Sequence, residues 1–280
     1  QNTAVGHNSL DAITTVNNNT AVGYNALTSA TSGYENTAVG SLSLQNTTTG
    51  SLNVAVGMRA LRDNTEGDRN TALGRESMVV NTTGNYNVAV GCFALDANTT
   101  ADNNTAVGYN VLTANTTGFQ NTAVGSNALA ANTDSESNVG VGYIALYANT
   151  TGDQNTAVGA RALDANTTAD NNTACGYNSL SANTTGEQNV AVGSLALDAN
   201  TTASYNTAIG YDTLGANTTG IVQTALGWGA LKTNTTGSEN TACGANTLYY
   251  NTTGNYNTSL GRQSLTNNTT ASYNTGLGYR

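Results

Sequence analysis

The chain has 280 residues and a net charge of −9, yet only 9% of its residues are charged, and it contains no proline. With 8 Lys and Arg against 17 Asp and Glu, it offers no basic stripe to neutralise phosphates, which argues against a nucleic-acid partner. No apolar run approaches the roughly 18 residues of a membrane-crossing helix, so no membrane insertion is expected.

The first phrase, NTAVGHNSL from Asn2, sets a pattern that returns along the whole chain. Aligned on its glycine it gives Gly6, Gly23, Gly40, Gly57, Gly74, Gly91 and so on to Gly278, always a step of 17 residues. Sixteen full units run from residue 2 to 273 and a partial unit occupies 274–280. The chain starts at Gln1 and stops at Arg280 in mid-phrase, and no signal peptide is recognised. Residues 1–280 therefore read as one repetitive segment of a longer protein.

Within each unit, numbered from its first Asn, certain positions are fixed. Position 1 is Asn except at Gln223, position 5 is Gly, position 9 is Leu except at Met78, and position 13 is Thr. Position 4 is apolar and of modest size, as at Val107, Cys175, Ile209 and Leu226. Positions 6, 7, 10, 16 and 17 vary and hold nearly all the charge. Disorder fits the polar composition but not the low charge and regular apolar spacing. A paired-helix solenoid needs helix formers and about twice this period. Short pieces such as TAVG, separated by Asn, Thr and Gly, instead suit short strands and tight corners.

A strict period without insertion predicts an all-β fold, a β-solenoid (parallel β-helix or β-roll) with one coil per 17-residue repeat. Strands stacked about 4.7–4.9 Å apart would make a rod roughly 80 Å long. The position-4 and position-9 residues are expected to form two internal apolar ladders, with Cys175 and Cys243 as small buried hydrophobes in the first. Cys92, in a variable position, is expected to be accessible. Position-1 asparagines should stack and bond one another, and the glycines should mark a corner with positive φ or close backbone approach. Fixing a coil costs more entropy than burying one Val and one Leu returns. Hydrogen-bond ladders and self-association or a lateral fibre partner are therefore expected, with the small residues at positions 3 and 8 packing inside or against a neighbour.

The stretches VGYNV at Val107–Val111 and VGARA at Val158–Ala162 resemble the hexapeptide pattern of left-handed β-helices. They are also similar to the repeats of trimeric autotransporter adhesin heads, which are left-handed β-rolls. The complete NTAVGYNAL…NTTG phrase resembles tandem repeats of phage tail fibres and bacterial surface proteins. This resemblance implies a left-handed coil and an extracellular location, on a cell surface, a secreted filament or a virion. The 17-residue period departs from that of the adhesin heads, so trimerisation does not carry over.

No catalytic or metal-ligating constellation is predicted, and no cofactor. His7, the sole histidine, sits in a variable position, and Asp96, Asp102, Asp164, Asp170 and Asp198 recur at positions 10 and 16 as an expected solvated face. The calcium-binding repeat of other solenoids is missing. Eleven N-x-T acceptors are candidate glycosylation sites: Asn81, Asn98, Asn115, Asn149, Asn166, Asn183, Asn200, Asn217, Asn234, Asn251 and Asn268. The competing explanation is that Asn-Thr-Thr-Gly is the turn this coil needs, which the motif's survival as NTE at Asn64 and NTD at Asn132 favours. A candidate aromatic surface column runs through Tyr109, Tyr143, Tyr177 and Tyr211, every second coil, then Trp228. Its spacing would suit sugar stacking or attachment, or reflect a duplicated pair of units.

The expected function is a non-catalytic extracellular structural fibre, a filament or tail-fibre-like shaft with glycans attached or bound. An adhesin or receptor-binding module is the alternative, distinguished by a localised irregular patch, and none is evident in the phrase. Ice binding by the paired threonine rows at positions 13 and 14 is a minor alternative.

Overall fold

The computed structural model describes residues 1–13 and 16–279. It is an all-β parallel β-solenoid of about sixteen turns, each turn one repeat. Two compact units, Gln1–Asn138 and Val139–Arg280, share this architecture. The first holds three-residue strands from β1 (Thr3–Val5) to β8 (Thr122–Val124), and the second from β9 (Val139–Val141) to β17 (Thr275–Leu277). Within each unit every strand pairs in parallel with the equivalent strand one repeat on, in register, as Thr105 with Thr122 or Ala174 with Ala191.

The 17-residue coil follows from its fixed residues. Positions 2–4 form the strand, and period-two alternation points position 3 inward and positions 2 and 4 outward. The chain then turns at Gly, whose φ runs from 117° to 144° through both units, a conformation essentially restricted to glycine. A side chain there would also strike the next coil: a Cβ on Gly57 would lie 2.5 Å from the Gly74 carbonyl oxygen. Positions 7, 9 and 17 adopt the left-handed α conformation, as at Asn110 (φ 52°), Leu112 (φ 51°) and Gln120 (φ 58°). Single residues of that kind reverse the direction in which the backbone offers its N–H groups. Some segments of each coil therefore donate to the coil after and others to the coil before. Thr20 N–H donates forward to Asn36 O at 2.8 Å, whereas Leu42 N–H donates back to Tyr24 O at 2.9 Å.

The interior is narrower than the sequence suggested. It is filled by alanine at position 3, a small residue at position 8 and leucine at position 9; Ala106, Val111 and Leu112 are each 0% exposed. The expected position-4 ladder is not internal. Leu73, Val158 and Leu226 are 46%, 38% and 45% exposed, and Cys175 lies at the surface with Cys243 half-buried. The strand's inward slot falls on position 3, where the coil leaves room for a methyl group only, and the larger apolar residue beside it must face out.

Candidate functional site

Two buried asparagine ladders define the corner opposite the glycine turn. At position 1, each Oδ1 accepts the backbone N–H of the asparagine one coil on, at 2.9 Å from Asn36 to Asn19 and from Asn104 to Asn87. Nearly all of the Nδ2 groups reach the position-15 carbonyl of their own coil, as Asn104 to Gly118 O at 2.8 Å. At position 12 the amides bond one another directly, with Asn98 Nδ2 donating to Asn81 Oδ1 at 2.8 Å. Both ladders converge on the same carbonyl: Asn87 and Asn98 donate to Ala101 O at 2.7 and 3.2 Å. Threonine at position 13 completes the corner, its hydroxyl donating to the next position-13 carbonyl, as Thr184 to Thr201 O at 3.0 Å.

The glycosylation candidates are the position-12 ladder itself. Asn81, Asn98, Asn115, Asn149, Asn166, Asn183, Asn200, Asn217, Asn234 and Asn251 are fully buried, and Asn268 in the last complete coil is partly so. The geometry is that of the turn explanation, with side-chain amides satisfying backbone carbonyls. A sugar on any buried Nδ2 would occupy the nitrogen that bonds the neighbouring coil, so attachment would have to precede folding and would interrupt the ladder.

The carboxylates are less passive than a solvated face. At position 16 they accept backbone N–H groups along the stack: Asp102 from Asn85 at 2.6 Å and Asp170 from Asp153 at 2.7 Å. Ser204 and Ser272 take the same role. At position 10, Asp96 accepts the Thr113 hydroxyl and Asp164 the Arg161 guanidinium. Burial pushes the Asp96 and Asp198 carboxyls above their ordinary range, Asp198 further so beside Asp212. Asp63 is held below it by the Arg62 guanidinium. His7 is exposed and stacks on Tyr24 with ring centroids 5.6 Å apart. Cys92 is half-exposed. Among the described residues no three His, Cys, Asp or Glu side chains gather as metal ligands, and no helix is long and apolar enough to cross a membrane.

The aromatic column is at the surface. Tyr109 in the first unit and Tyr143, Tyr177, Tyr211 and Trp228 in the second are about half-exposed. The structure gathers Trp228 into a hollow of about 180 Å³ with Asn246, Tyr249, Tyr250, Gln263 and Thr266, residues of three successive coils. This is a localised irregular patch, which the repeated phrase itself does not show. The signal for it was present in the departures from the phrase: Trp at position 6, Gly229 at position 7, and adjacent tyrosines at positions 10 and 11 of the next coil.

No protein-family model matches the chain, and no curated protein or solved structure matches it.

Proposed function

We propose that the chain is a non-catalytic structural segment of an extracellular fibre, wound left-handedly like the repeats it resembles and associating with itself or a lateral partner. The observation that carries this reading is the pair of buried amide ladders, at position 1 along both units and at position 12 from Asn64 onward in the first unit and along the second, repeated with one spacing. Such an arrangement invests nearly every fixed residue in stacking and leaves the variable ones to a polar surface. The half-exposed position-4 row, uncharged along both units, is the natural face for lateral association. A glycan coat, in this reading, sits on the exposed position-14 threonines such as Thr117 and Thr185, or on tyrosines, rather than on the buried asparagines.

Immunogold labelling of the source cell or virion with antibody to this chain tests the reading. Label distributed along filaments is expected. Label confined to filament tips would favour a receptor-binding module, and intracellular label would overturn both. The hollow at Trp228 is the observation that supports the receptor-binding alternative. Ice binding ranks lower, because the position-13 hydroxyls are spent within the ladder and only the position-14 row faces out.

A further inference from the structure

We propose that the hollow at Trp228 binds a neutral pyranose sugar, a single residue of an uncharged glycan. The chain holds one tryptophan in 280 residues, and it stands 53% exposed on this hollow, with Tyr250 49% exposed across from it. An exposed indole and phenol are wide apolar surfaces with polar tips, suited to the C–H face of a sugar ring. Besides Tyr249, the remaining lining residues are two amides and a hydroxyl. The Gln263 side chain makes no hydrogen bond within the coil among the described residues. The Thr266 hydroxyl lies 2.9 and 2.7 Å from the carbonyl oxygens of Asn246 and Gln263, and, with its single hydrogen so engaged, it keeps lone pairs to accept from a ligand. These groups match the hydroxyls at the edge of a sugar ring.

The site is built from behind. Tyr249 and Tyr250 meet edge to face with ring centroids 4.8 Å apart, and the Lys232 ammonium lies 5.8 Å from the Tyr249 ring centroid. That ammonium is paired with Asp212 at 2.6 Å, so the cation beside the Tyr249 ring is already compensated, and neither a cation nor a carboxylate is among the residues lining the hollow. A charged sugar therefore finds no counter-ion among the lining residues. Gly229 opens the space: its position carries a side chain in the coils on either side, Asp212 and Asn246. A Cβ on Gly229 would come within 2.7 Å of Asn246 Oδ1 and 3.3 Å of the Tyr249 ring. A volume of about 180 Å³ admits one ring and leaves the rest of a glycan in solvent, so affinity for a monosaccharide is weak, in the millimolar range.

Trp228, as the only tryptophan, reports on this site by its own fluorescence. Titration with methyl pyranosides of glucose, galactose, mannose and N-acetylglucosamine, and with methyl glucuronide, should give a saturable change with at least one neutral sugar and none with the glucuronide. Two substitutions restore residues that other repeats carry at the same positions: Trp228→Ser (as Ser126) and Tyr250→Ala (as Ala114). Tyr250→Ala should weaken the fluorescence-detected binding at least fivefold. Trp228→Ser, followed by saturation-transfer NMR, should abolish it. A panel with no saturable response, a preference for the glucuronide, or unchanged affinity in Tyr250→Ala would each overturn the proposal. None of these outcomes bears on the fibre reading, which rests on the ladders.

Discussion

Asparagine at position 1 is fixed because one short amide performs two tasks at set distances. Its Oδ1 must meet the next coil's N–H while its Nδ2 meets the carbonyl across the corner. Gln223 shows what one extra methylene does. Its amide still reaches Gly237 O, and its Oε1 accepts Asn240 N–H at a longer 3.2 Å. In the preceding coil, however, Asn206 Nδ2 is buried without a partner. Replacing Gln223 by Asn should let the corner close uniformly and stabilise the protein by about 1 kcal/mol, the net worth of one recovered hydrogen bond. Urea unfolding would show the midpoint rising without a change in slope. At this scale the sequence was largely legible: the stacking of position 1 and the conformational demand at position 5 follow from residue type alone. The fate of Asn98 and its equivalents was ambiguous, because N-x-T is at once an acceptor motif and a turn, and only burial separates the two.

The coil is the element, and here the sequence was legible in period but not in facing. Alternation says that positions 2 and 4 share one face and position 3 the other, yet it does not say which face is inside. Choosing the larger apolar residue placed Val158 and Cys175 in the core, whereas the coil's width admits only Ala157 and Ala174 there. Leucine at position 9 fills the remaining interior, and it does so in a left-handed conformation that costs a non-glycine residue about 1–2 kcal/mol, offset by burial of about 1.5–3 kcal/mol. The two apolar residues of one coil should therefore respond very differently to truncation. Leu163→Ala is expected to cost about 2–5 kcal/mol, and Val158→Ala, on the outer face, under about 1 kcal/mol. Equal losses in denaturant unfolding would contradict this inside-outside assignment. The position-16 acceptors escaped notice because Asp, Asn and Ser alternate there without one residue type dominating, although all three share an oxygen within reach of a backbone N–H.

For the whole molecule the decisive property is that every repeat is the same length. Removing residues 87–103 would join Tyr86 to Asn104 and return each position of the first unit to its own ladder. Removing 87–102 would displace every following residue by one, turning alanines outward and outward residues in. The shorter deletion should be the damaging one. The 17-residue variant is expected to keep a cooperative thermal transition and wild-type circular dichroism, while the 16-residue variant loses the transition or aggregates. The period was the most legible feature of this sequence, and the cluster at Trp228 the least. A repeat is read by averaging over its copies, and averaging hides the one place where several copies depart together.

The in-register pairing of equal coils also reaches beyond the folded chain to its inheritance. A gene for such a protein can gain or lose whole phrases by slippage or unequal crossing-over between its copies, and each product closes the same ladders as its parent. Length is then free to vary between generations without passing through a misfolded intermediate form, whereas a shift of a single codon is purged at once. Selection can thus set the number of coils simply by counting repeats, and any surface novelty that arises in one copy can be multiplied or discarded along with it.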